Sequence, residues 1–190
     1  MRDAFLTFLR RHPRAKEQAL SVLNRANLLL VDYPVRPEPR YGWGKPPHRW
    51  LEEIIGQDRE RYARALDSFT RYATELTQIE QEPSDPTAPA WRNRFTSGLD
   101  AIALYGFVCE RRPRLFFEIG SGNSTKFVRR AIVDHSLQTR IVSVDPHPRA
   151  EVDAICDEVI RTPVENVDLA VFDRLGTATC SMWTTAIAHL

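Results

Sequence analysis

Cysteine is scarce in this chain of 190 residues, with three in all, Cys109, Cys156 and Cys180. Three widely spaced thiols match neither a disulfide framework nor a zinc-ligand pattern, so a reducing cytoplasm is the expected compartment. Long apolar runs are missing too. The longest in the first third is Leu28–Val31, far short of a membrane span, and the opening Met1–Phe5 has an early acid and no stretch of signal-peptide length. An excess of one charge is also absent. Lys and Arg total 26 against 25 Asp and Glu, a net of +1, which predicts no bulk attraction to nucleic acid or anionic lipid. With 43% hydrophobic and 27% charged residues the composition is that of a globular protein and excludes a disordered tail. The length suits one domain, or one domain with an extension.

Charge is unevenly placed. Residues 1–49 carry 10 basic and 4 acidic side chains, residues 50–89 carry 4 and 9, and residues 90–190 balance at 12 and 12. No aromatic residues interleave with the basic ones as a nucleic-acid surface would need, so the basic front and the acidic middle are expected to neutralise each other.

The first 90 residues read as helix and loop. A helix is expected from Arg14 to about Val31. Five prolines within residues 34–47 then exclude a regular element. Inside that stretch Arg40-Tyr41-Gly42-Trp43-Gly44 reads first as a loop pinned by buried rings and second as a lid over a pocket. A helix follows from about Trp50 to Ile79, broken near Gly56. Its packing stripe is Tyr62, Leu66, Phe69, Ala73, Leu76 and Ile79, spaced at helical intervals. Residues 83–89 read as a linker.

From Ser97 a helix is expected up to the residues before Pro113, carrying Leu99, Ile102, Ala103, Leu104, Phe107 and Val108. Then strand and helix alternate. Strands are predicted at Arg114–Ile119, Arg140–Asp145 and Asp157–Arg161. Helices are predicted at Thr125–Val133, with Phe127, Val128, Ala131 and Ile132 inward and Lys126, Arg129 and Arg130 outward, and at Arg149–Ile155. A further helix opens at Thr162-Pro163-Val164-Glu165, with Thr162 capping and Glu165 completing a capping box. Its apolar face is Val164, Val167, Val171, Phe172 and Leu175. This alternation predicts a parallel sheet with crossover helices.

The chemistry-bearing motif is Glu118-Ile119-Gly120-Ser121-Gly122-Asn123-Ser124-Thr125 at the end of the first of these strands. A strand that runs through glycines into a helix is where this architecture holds nucleotide-containing ligands, on helix N-terminal amides. A dinucleotide site asks for G-x-G-x-x-G, and Thr125 stands where the third glycine would be. The pattern acid-x-G-x-G-x-G of S-adenosylmethionine sites fits Glu118, Gly120 and Gly122, with Ser124 replacing only the last glycine. Asp145 ends the next strand, 25 residues after Gly120, where a carboxylate can accept ribose hydroxyls. The candidate cofactor-binding residues are therefore Glu118, Gly120, Ser121, Gly122, Asn123, Ser124 and Asp145. No catalytic residue or metal ligand stands out. His147, between two prolines, reads as a turn-shaping residue before it reads as a base.

From about Arg40 to Leu175 the chain resembles a group of bacterial class I S-adenosylmethionine-dependent methyltransferases. The resemblance is carried by Arg40–Gly44, by Gly98-Leu99-Asp100 with Leu104-Tyr105, by Glu118–Phe127, and by Asp145–Arg149. It implies an α/β fold, a partial Rossmann-like parallel sheet, with an N-terminal helical extension over residues 1–96 and the cofactor domain over 97–190. It also implies S-adenosyl-L-methionine as cofactor, with Glu118 near its methionine end and Asp145 on its ribose, and leaves a small-molecule or sugar-type methyl acceptor open. Two other readings stand beside it: a non-catalytic binding remnant of the fold, and a nicotinamide-dependent oxidoreductase, which Thr125 disfavours.

After Leu175 the pattern departs from the family. The tail has little strand character and no acid, so about three strands are expected and the first strand is expected to lack its inner neighbour and leave core exposed. Met182 and Trp183 have single codons, and with the threonine codon that follows they must read Val-Asp in one shifted frame. In that frame Thr177–Ala188 can encode an apolar strand with a polar end. Residues 177–190 are therefore expected to be a frame-shifted reading of a fourth strand, in a methyltransferase truncated there, whose activity as this chain the sequence leaves open. Sequencing the gene tests this. A long open frame in the shifted register beyond codon 176 is the expected result, and early stops there would overturn it.

Overall fold

A computed structural model describes residues 12, 38–42, 44–93, 95–96, 98–148, 150–176 and 179–183. The expected helix over 14–31 lies outside them. The chain divides into two compact units with the boundary between Glu53 and Ile54.

In the first unit the segment 38–48 is irregular, as its prolines require. Tyr41 is 52% exposed and meets His48 edge-on, ring centres 4.6 Å apart, so its ring does not pin the loop by burial. Trp43, the second ring of that motif, lies outside the described residues. Helix α1 (Arg49–Gly56) begins here and ends at Gly56, the expected break.

The second unit takes in the last residues of α1 and continues with α2 (Arg59–Phe69), a 3-10 turn over Thr70–Tyr72 and the short α3 (Ala73–Thr77). The 3-10 turn alters the helical phase, and the buried stripe is Phe69, Tyr72, Leu76 and Ile79. Tyr62 and Leu66, expected in that stripe, stay exposed because only the C-terminal end of α2 reaches the core. Helix α4 (Gly98–Arg111) buries Ala101, Tyr105, Gly106, Val108 and Cys109. The side chains at i, i+4, i+7 and i+8 define its inner face, leaving Leu99 and Phe107 outward. Residues on both sides of the expected 96/97 boundary thus share one core.

Strands β1 (Leu115–Ile119), β2 (Arg140–Val144), β3 (Glu158–Ile160) and β4 (Thr179–Trp183) form an all-parallel sheet in the order β3-β2-β1-β4. Helix α5 (Asn123–Asp134) joins β1 to β2 and packs beside α4. The fold is α/β and compatible with a partial Rossmann-like sheet. Two of the sequence expectations need correction here. Thr179–Trp183 is a strand, pairing with β1 from Leu115↔Thr179 to Ile119↔Trp183, so β1 has neighbours on both sides. A run rich in Thr, Cys and Trp is compatible with strand geometry, although its lack of apolar alternation hides it in the sequence.

The alternation of β1 and β2 separates two cores. Phe116 and Ile141 face α4 and α5. Phe117, Ile119, Val142 and Val144 face the other way, where Val164, Val167, Val171, Phe172 and Leu175 cover them. Those covering residues are the expected apolar face, but the α-helix proposed to carry them is instead two 3-10 turns, Val164–Asn166 and Leu169–Arg174. Asp168 accepts the Ala170 N–H at 2.9 Å, a local bond that competes with a continuous helix. Arg174 then grips Glu158 of β3 with two bonds of 2.7 and 2.9 Å. The helix expected at Arg149–Ile155 reduces to one 3-10 turn, Asp153–Ile155. Among the described residues no helix is long and apolar enough to cross a membrane.

Gly106 sets how closely α2 approaches α4. A Cβ built there would lie 2.2 Å from the Phe69 ring, which is itself buried and packed edge-on against Phe107. Alanine would gain about 1 kcal/mol of helix propensity over glycine, but overpacking a buried ring costs about 1–3 kcal/mol. Gly106→Ala is therefore expected to lower stability in urea unfolding, and Phe69→Leu in that background to restore part of the loss. An unchanged midpoint in Gly106→Ala would contradict this packing.

Candidate functional site

The helical face of the sheet is apolar at one end and polar at the other. Along β1 the inward residues are Phe116, then Glu118; along β2 they are Ile141, then Ser143. Glu118 and Ser143 are register partners, both fully buried, at the carboxyl ends of their strands. The chain leaves β1 there through Gly120, whose φ of 81° is the left-handed conformation that favours glycine. Gly120 still donates its N–H to the Val144 carbonyl at 3.0 Å, so the turn begins from a paired position.

Glu118 organises the elbow that follows. Ser124 Oγ donates to its Oε1 and Thr125 Oγ1 to its Oε2, each at 2.5 Å. Thr125 Oγ1 in turn accepts the Gly122 N–H at 2.9 Å. Ser124 and Thr125 are buried in the first turn of α5, so one carboxylate holds the strand end and the helix start together. Burial is the main influence on this acid and pushes its pKa up to about 7. The two hydroxyl bonds work against that rise, and the nearby Asp145 charge adds to it. With no exposed surface, Glu118 contributes through the shape of the elbow.

Gly122 differs from Gly120. Its φ of 173° is ordinary extended backbone, and a Cβ placed on it would meet nothing within 4 Å. The protein's own packing does not require a glycine there. It leaves the backbone open to close approach from outside, beside the amide end of α5.

Asp145 follows β2 directly and is 8% exposed. Its N–H donates to the Ile160 carbonyl at 3.1 Å, and its Oδ1 accepts the His147 N–H at 2.8 Å. His147 thus shapes the turn with its backbone, while its side chain is exposed. Ser121 reaches across to β2, its Oγ 2.5 Å from Ser143 Oγ. Asn123 Nδ2 points the other way and donates to the Asn93 carbonyl at 3.4 Å. Gly120, Ser121, Gly122, Ser124 and Glu118 therefore form one elbow, with Asp145 on the adjoining strand end and Asn123 tying the elbow to Asn93.

Three residues that the sequence reading did not assign to the site help to build it. Thr125 appeared only as a missing glycine, yet it is fully buried at the centre of the latch. Lys126, expected to point outward, is 6% exposed and donates to the Pro86 carbonyl at 2.5 Å, so the supposed linker over 83–89 is fastened to α5. Arg161, at the end of β3, donates to the Asp145 carbonyl at 2.8 Å. A sequence signal existed only for Thr125, as the N3 hydroxyl after a helix N-cap. The other two depend on partners 40 and 16 residues away.

The raised pKa of Glu118 has a direct consequence for stability. Between its ordinary value of 4.5 and about 7 the folded chain keeps a proton that the unfolded chain releases. That contribution is fully present below pH 4.5 and is lost as pH rises through about 7, by at most about 3 kcal/mol. Glu118→Gln keeps the shape and removes the titration. Urea unfolding across this pH window is expected to show the wild type losing stability toward pH 7 and the variant not doing so. Equal slopes would show that the carboxylate is not held as described.

No protein-family model, curated protein or solved structure matches this chain. The functional reading therefore rests on its own residues and their geometry.

Proposed function

We propose that the elbow between β1 and α5 binds S-adenosyl-L-methionine and that the chain serves methyl transfer. The observation that carries this reading is the place of the elbow. In the order β3-β2-β1-β4 the chain runs from β1 to β2 on one side and later returns to β4 on the other. The carboxyl end of β1 is thus the topological switch point, where open parallel sheets receive their ligands. Asp145 stands on the neighbouring strand end, on the side where a nucleoside ribose would lie.

The residues fit such a guest. The open space over Gly122 admits close approach to backbone beside the Asn123 start of α5, while the Gly122 N–H is held by Thr125. Asp145 would accept ribose hydroxyls while His147 N–H steadies its Oδ1. Gly120, Ser121 and Ser124 would line the cofactor's edge, and Asn123 would tie Asn93 to the elbow beside it. Glu118 would act through Ser124 and Thr125, holding the elbow in one shape and so lowering the ordering cost of binding. When bound, the cofactor supplies a sulfonium methyl that a nucleophile takes, with the C–S electron pair returning to sulfur. The protein's share is to orient cofactor and acceptor and to limit access of water.

Thr125 disfavours a dinucleotide in this elbow. It fills the third-glycine position with a fully buried side chain that the latch itself uses. Calorimetry with S-adenosylhomocysteine tests the proposal. Micromolar binding is expected, lost in Asp145→Ala and weakened at least tenfold in Gly122→Ala, with the unfolding midpoint of Gly122→Ala close to that of the wild type. A titration with NADH is expected to be silent. Failure to bind S-adenosylhomocysteine would overturn the reading, and NADH binding in its place would favour an oxidoreductase.

A further inference from the structure

The two halves of the proposed site, the β1 elbow and the end of β2, meet through one polar chain, buried at Ser121 and Ser143 and part-buried at Arg161. Arg161 follows β3 and sends its guanidinium over the end of β2. Nη1 donates to Ser143 Oγ at 3.1 Å and to the Asp145 carbonyl at 2.8 Å, and Nη2 pairs with Asp153. Ser143 Oγ lies 2.5 Å from Ser121 Oγ in the elbow. Ser143 is fully buried and Ser121 nearly so, at 4%. Ser143 Oγ thus accepts from Arg161 and shares a hydrogen bond with Ser121 Oγ in which either hydroxyl can donate.

We propose that Arg161 is the positioning residue of this site. It fixes the spacing between the Gly120–Gly122 backbone and the Asp145 carboxylate without touching the ligand. This rests on the reading of the elbow as a cofactor site. Two of its three contacts go to strand β2, at a side chain and at the carbonyl of the very residue that would hold the ribose. Those two bonds are made in addition to the ion pair with Asp153. The planar guanidinium meets acceptors in two directions at once, which a lysine ammonium does not reproduce with fixed geometry. A binding wall held in this way is preorganised, and loosening it weakens affinity even where every contacting group remains.

The test compares Arg161→Gln, Ser143→Ala and Asp153→Asn in the full chain. Amide hydrogen exchange at residues 120–122 and 145–147 is read without ligand, and S-adenosylhomocysteine affinity by calorimetry. Arg161→Gln is expected to speed exchange at both segments at least tenfold and to weaken binding by a similar factor. Ser143→Ala is expected to speed exchange at the elbow, and adding it to Arg161→Gln to bring little more. Asp153→Asn, which removes only the ion pair, is expected to change either readout less than threefold. Ser143→Ala keeps the test decisive if Arg161→Gln does not fold. Wild-type exchange and affinity in Ser143→Ala, or equal losses in Asp153→Asn and Arg161→Gln, would overturn the positioning role alone. A wild type that binds no S-adenosylhomocysteine would overturn the cofactor reading, and this role with it.

Discussion

A carboxylate shut away from water at the end of a strand is the constraint on which the elbow depends. Burying Glu118 without partners would cost several kcal/mol. The chain offsets that cost with two hydroxyls from the first turn of α5, one of which also receives the Gly122 N–H. The bonds are worth most when strand end, glycine turn and helix start hold one relative geometry, so satisfying the acid also shapes the turn. The acid's pKa, still raised to about 7, shows that the offset is incomplete. Retaining a group that the fold stabilises only partly is common where a site needs a fixed shape.

The same economy of position appears in the strands. Each inward face starts apolar, with Phe116 on β1 and Ile141 on β2, and ends polar, with Glu118 and Ser143. The apolar end belongs to the core under α4 and α5. The polar end supports the elbow, where Ser121, Ser143 and Arg161 connect three consecutive strand ends. Packing thus anchors the strands at one end and hydrogen bonds order them at the other. Gly122, facing open space, is the place where that ordered polar end is accessible from outside.

Much of this was legible in the residues. The strands at 114–119 and 140–145, the inward face of α5, and the meeting of Glu118, Gly120, Ser124 and Asp145 follow from periodicity, glycine placement and strand–helix alternation, all short-range signals. The misreadings share a cause, which is that partners distant in the chain override local preference. Lys126 looks exposed until Pro86 arrives beside it. Val164–Leu175 carries a helix-like apolar pattern, yet Asp168 and the grip of Arg174 on Glu158 leave it as two 3-10 turns over the same core. The stripe expected on α2 fails at Tyr62 and Leu66 because only the C-terminal end of α2 reaches the core, and after the turn at Thr70–Tyr72 the buried residue is Tyr72 in place of Ala73.

By itself the sequence determined the kind of sheet, the turn after β1 and the acids at its two strand ends, because those depend on residues within a few positions of one another. Only the tertiary structure decided that Thr179–Trp183 lies beside β1, which makes the β1 end a switch point, and that Arg161 reaches Asp145 and Ser143. Parallel neighbours are chosen by backbone pairing across long connections, and a guanidinium's partners by where its strand comes to rest. Neither choice leaves a mark in local side-chain pattern.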